Sequence, residues 1–185
     1  MQRVWAVIAA SLFVAGSITG SAWAQVPKGN VFFGYSYERT PVVSNDSINT
    51  NGWDASVEGK LIPFLGLVVD VDGHYGSGTF ATSGCPEPCV NVNVAEHNAL
   101  LGPRVSFQAH GFRPFAEVLV GAGHISRSNG ISDSDTSFAN AAGGGLDYRI
   151  AGPVSVRGQL DWVETRFYGN TQNGVRFSTG ISVHF

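Results

Sequence analysis

Over eight stretches the chain alternates apolar and polar side chains residue by residue, and period two is the pattern of a β-strand whose two faces meet different surroundings. The cleanest is 175–185. Val175, Phe177, Thr179, Ile181, Val183 and Phe185 fall on one face, and Arg176, Ser178, Gly180, Ser182 and His184 on the other. An aromatic residue closes this run without a polar tail, so the sequence predicts a last strand that pairs along its edges rather than fraying. The other seven stretches are 30–40, 52–61, 65–75, 92–107, 113–126, 138–150 and 154–165.

The links between stretches come in two lengths. Short links at 62–64, 108–112 and 151–153 alternate with longer polar ones near 41–51, 76–91, 127–137 and 167–173. A three-residue link cannot hold a crossover helix, so neighbours pair as antiparallel hairpins. Consecutive hairpins gather the short links at one end and the long links at the other, as in a barrel with short periplasmic turns and longer outer loops.

Charge follows the alternation. Glu58, Lys60, Asp70, Asp72, Glu96, Arg104, Glu117, Asp147, Arg149, Arg157, Asp161 and Arg176 all lie on the polar face of their strands, with both signs present. A soluble sandwich or an exported soluble lipid-binding barrel turns that face to water. A membrane barrel turns it inward, where the charges pair, and gives the apolar face to lipid.

The first residues favour the second arrangement. Arg3, an apolar run over 4–18 and the Ala22-Trp23-Ala24 exit read as a cleavable signal peptide over residues 1–24, leaving residues 25–185 as one domain. The predicted fold is therefore all-β, an eight-stranded antiparallel up-and-down transmembrane β-barrel. Tyr35, Tyr37, Trp53, Tyr75, Tyr148 and Trp162 lie toward strand ends on the predicted lipid face, where an interfacial girdle sits.

A net charge of −3 and an isoelectric point near 5.9 offer nucleic acid no basic patch. Cys85 and Cys89 flank Pro86-Glu87-Pro88; a loop disulfide, free thiols and a weak metal pair all remain open for them. His74, His97, His110 and His184 are scattered over separate segments, so no metal and no cofactor is expected.

Three short motifs carry a resemblance over the whole of 25–185. They are the ending Ile181-Ser182-Val183-His184-Phe185 and the tripeptides Gly102-Pro103-Arg104 and Arg113-Pro114-Phe115 around the second short link. Together they resemble the small eight-stranded outer-membrane barrel family of Gram-negative bacteria, the OmpA-like, OmpX-like and opacity-type proteins. The resemblance implies a monomeric, non-enzymatic barrel, structural or adhesin-like. Its implied partners are outer-membrane lipid and lipopolysaccharide, the barrel assembly machinery, which would read Phe177, Thr179, Ile181, Val183 and Phe185, and an extracellular ligand held by the long loops.

One enzymatic pattern competes. His124 and Ser126 form a His-x-Ser pair similar to that of the lipid A deacylases, which are also eight-stranded barrels. Nucleophilic catalysis there needs an acidic residue to orient the imidazole. Phe138 stands twelve residues beyond Ser126, and Asp133 and Asp135 fall in a polar link, so the expectation is no catalysis.

Overall fold

A computed structural model describes residues 28–42, 46–80, 90–128 and 132–185 of the chain. The predicted signal peptide and both cysteines lie outside the described residues. Eight strands follow in order: β1 (Gly29–Val42), β2 (Asp46–Ile62), β3 (Leu65–Phe80), β4 (Val90–Ser106), β5 (Phe112–Ser128), β6 (Ser132–Ala151), β7 (Val154–Thr165) and β8 (Gln172–His184). Each pairs antiparallel with its neighbours in sequence, and β8 pairs with β1 to close the barrel. Val31 faces Val183, Phe33 faces Ile181 and Tyr37 faces Phe177 across that seam. Closure gives every strand a paired neighbour on each side, which is what a sheet in hydrocarbon requires.

The short links are tight turns. Between β4 and β5, Ala109 and Phe112 exchange two backbone hydrogen bonds of 2.8 Å around His110 and Gly111. Both central residues have positive φ, 44° and 90°, the geometry whose twist matches a β-hairpin and which asks for glycine at its second position.

The long links are shorter than the alternation predicts. Most of 41–51 and 127–137, and both ends of 76–91 (76–80 and 90–91), belong to paired strand, because an antiparallel ladder satisfies the backbone equally well where both faces carry polar side chains. The far end of the barrel thus presents extended hairpins. A short 3₁₀ helix, Phe167–Gly169, joins β7 to β8.

Polarity is inverted relative to a soluble protein. Neighbours Phe32 and Phe33 are 0% and 64% exposed, and the exposed set includes Val57, Val69, Leu101, Val120, Leu160 and Ile181 around the barrel. Arg104, Arg157 and Arg176 are fully buried. A continuous apolar exterior far exceeds the patch a soluble monomer shows to water, so this surface faces lipid. Aromatic residues border the band at both ends: Phe64, Phe107, Phe112, Tyr148 and Phe185 near the short turns, and Tyr35, Tyr75, Phe138 and Trp162 toward the hairpins.

The lumen is not purely ionic. Val68, Leu100, Leu119, Ala139, Ala141 and Val163 form a buried cluster on the β3–β7 wall. Phe167 reaches in from the 3₁₀ helix, fully buried, so close over Gly123 that a Cβ at that position would meet its ring at 2.9 Å.

Candidate functional site

The inward side chains of the strands converge into two linked clusters. Toward the short turns, Arg104 donates from Nε to Glu117 at 2.6 Å and approaches Glu58 at 3.6 Å. Lys60 meets Glu58 at 2.5 Å and donates to Ser106 at 2.6 Å. Arg157 grips Asp147 with two hydrogen bonds of 2.6 and 3.0 Å and reaches Asn30 at 2.9 Å. Bidentate pairing fixes the guanidinium plane, and that plane lies against aromatic rings: Arg157 is 4.7 Å from the centroid of Phe115 and 5.0 Å from that of Phe32.

Nearer the hairpins the hub is Arg176 on β8. It donates to Asp70 at 2.9 Å, to Asp72, and to Asp161 at 2.9 and 3.2 Å. Asp72 also lies 3.1 Å from His74 Nδ1 and accepts from Asn98 at 3.0 Å. His74 Nε2 stands 2.9 Å from Ser36. Glu96, half-buried, accepts from the same Asn98 amide at 3.3 Å. Gln159 joins the clusters, donating at 2.8 Å to both Glu117 and Asp161.

Of the charged residues read from the alternation, Glu58, Lys60, Asp70, Asp72, Glu96, Arg104, Glu117, Asp147, Arg157, Asp161 and Arg176 are brought together in this lumen. Arg149 is not. The β6–β7 register shifts between Arg149 and Ala151, and Arg149 is left exposed at the mouth beside the short turn. Asn30, Glu38, Asp54, His74, Asn98, Arg113, Gln159 and His184 also face the lumen, though charge on the central strands alone did not select them. Their positions share the inward parity, which is the signal that identifies them.

The outer face holds the other candidate. His124 and Ser126 are exposed on the lipid side of β5. His124 Nδ1 lies 2.7 Å from Thr136, and Thr136 pairs with His124 across β5–β6. A hydroxyl stands where an orienting carboxylate belongs. Phe138 is exposed to lipid, and Asp133 and Asp135 have the opposite, inward parity of β6. Among the described residues, the hydrogen-bond partner of the His124 ring is the Thr136 hydroxyl and not a carboxylate.

Just beyond the aromatic border, the same face carries a groove of about 610 Å³ lined by side chains of β2, β3, β4 and β5, Asn51 and Tyr75 among them. The hydroxyl of Tyr35 donates to the Asn51 carbonyl at its edge.

An apolar girdled exterior around an ion-paired lumen defines a transmembrane β-barrel with the fold of the small eight-stranded outer-membrane proteins. Solved structures agree. Neisserial surface protein A (NspA) superposes with a TM-score of 0.66 at 14% identity, over 85% of this chain and 97% of that one. Ail, the attachment invasion locus protein of Yersinia pestis, gives 0.58 at 16% identity, over 86% and 99%. OprG of Pseudomonas aeruginosa gives 0.52 at 8% identity, over 87% and 98%. No protein-family model and no curated protein matches the chain.

Proposed function

We propose that this protein is a non-enzymatic outer-membrane barrel of a Gram-negative bacterium that holds four hairpin ends at the cell surface, as a structural or adhesin-like element. The filled lumen carries the reading. Eight strands leave room for side chains and little else, and Arg104, Arg157 and Arg176, each fully buried and ion-paired, occupy that room. Selective value then rests on what the barrel displays. Ail, an attachment protein by name, shares this fold and supports a surface role.

In this reading residues 1–24 direct export and are removed. The assembly machinery recognises the outward row Phe177, Thr179, Ile181, Val183 and Phe185. Four of those residues face lipid, and Thr179 is half-buried with its hydroxyl donating to the Arg157 carbonyl at 3.1 Å.

The test is expression in a Gram-negative host. Outer-membrane fractionation should recover a band with heat-modifiable gel migration, and planar bilayers should show no steady conductance steps. Lipid A acylation should be the same with wild type and Ser126→Ala. A soluble periplasmic product, or an acylation change abolished by Ser126→Ala, overturns the reading.

A further inference from the structure

We propose that the groove on the outer face of β2–β5 binds the neutral sugar portion of a glycolipid in the outer leaflet. The inference rests on the outer-membrane reading above and adds a ligand class and a site to it.

Chemistry sets the class. Asn49, Asn51, Asn93, Ser77 and Ser126 supply amides and hydroxyls, and Tyr75 supplies an aromatic face. Among the described residues, no lysine, arginine, aspartate or glutamate lines the groove. Phosphate or sulfate recognition asks for guanidinium or ammonium groups. Amides, hydroxyls and one ring suit a ligand with many hydroxyls on an apolar C–H face, which is a sugar.

These polar groups are also uncommitted. Among the described residues, the side chains of Asn49, Ser77, Asn93 and Ser126 make no hydrogen bond to another group, and Tyr35 engages only the carbonyl of Asn51. That leaves the Asn51 amide donors free.

Register explains the concavity. Asn51 faces Tyr75, Tyr75 faces Ala95 and Ala95 faces Ser126, so one row crosses four strands with a small residue between the ring and the hydroxyl. All four side chains share the outward parity of their strands. One step toward the short turns, the parallel row runs through Trp53, Gly73, His97 and His124, where Tyr75 stacks edge-on with His97 at 5.5 Å.

Position selects the source. The groove opens sideways from the barrel wall directly beyond the aromatic border, at the depth where a membrane lipid carries its headgroup. A glycolipid anchored in the same leaflet meets it at high effective concentration, whereas a free glycan must bind without that advantage.

The full mature protein is reconstituted in nanodiscs of phospholipid alone, or of phospholipid with a diglucosyl diacylglycerol, whose headgroup is an uncharged disaccharide, and bound lipid is counted by native mass spectrometry. A separate arm adds the soluble disaccharide to phospholipid nanodiscs. Wild type should retain the glycolipid and bind the soluble sugar at least tenfold more weakly. The double variant Asn51→Ala/Asn93→Ala, checked for heat-modifiable migration, should lose about tenfold in retention, the effect of removing two hydrogen bonds. Tyr75→Ala should lose a comparable amount. Equal retention by wild type and the folded variants overturns the proposal, as does equally tight binding of the soluble sugar. Failure of the outer-membrane reading would appear separately, as a protein that does not insert.

Discussion

The two ends of the lumen are built from the same residue types in different proportions. Toward the short turns, Lys60, Arg104, Arg113 and Arg157 surround Glu58, Glu117 and Asp147, so each carboxylate has more than one donor. Toward the hairpins, Glu38, Asp54, Asp70, Asp72, Glu96 and Asp161 surround Arg176, the one arginine among the described side chains of that cluster, with His74 beside it. Both carboxylate oxygens of Asp54 lack a hydrogen bond within the described residues, and Asp72 is its partner across β2–β3. Redundancy protects the first cluster, and the second hangs on one side chain. A buried charge that loses its partner costs far more than the pair contributes, so the two ends should respond differently to the same kind of change.

Arg176→Leu should have the largest effect, a loss of roughly 3–5 kcal/mol in urea unfolding followed by gel migration. Asp161 and Asp72 keep Gln159 and Asn98 as donors, but the second oxygen of Asp70 already lacks a hydrogen bond and its first would lose its arginine. Adding Asp70→Asn to that variant should recover part of the loss. No recovery would show that Asp70 is not where the cost resides.

Arg104→Leu should cost less, about 2 kcal/mol, because Lys60 still holds Glu58 and Gln159 still donates to Glu117. Equal losses for Arg104→Leu and Arg176→Leu would dissolve the contrast between the two ends. Asp54→Asn should move the other way. Removing a charge that no donor satisfies, beside Asp72, should stabilise the barrel by about 1 kcal/mol, and a destabilised variant would mean that Asp54 has a partner.

The inward parity of the lumen was legible in the sequence, since lipid and a narrow interior impose opposite demands on successive residues. The aliphatic wall was written there too, less openly. Leu67-Val68-Val69, Ala99-Leu100-Leu101 and Val118-Leu119-Val120 interrupt the alternation with apolar triplets, whose middle residues are all buried. Triplets arise where both faces are apolar.

Pairing was not legible. Arg176 and Asp70 are 106 positions apart, and alternation fixes which face a side chain takes without fixing its direction around the barrel. Strand ends were also hidden, because beyond the lipid both faces turn polar and the pattern fades while backbone pairing continues. The outer groove escaped for a related reason. Its asparagines and serines read as loop composition until the register of β2 to β5 set them side by side.

The smallest expected effect tests whether location or residue type makes an ion pair matter. Arg166 and Glu164 approach to 3.5 Å beside the β7–β8 connection, with side chains 61% and 29% exposed. Water screens this pair, and holding two long side chains together costs entropy that offsets the attraction. Arg166→Ala should therefore shift unfolding by no more than about 0.5 kcal/mol, against the several expected for Arg176. A shift as large as that of Arg104→Leu would mean that the hairpin end depends on its surface charges. The stability attributed to the lumen would then be shared with the part of the barrel that stands outside the membrane.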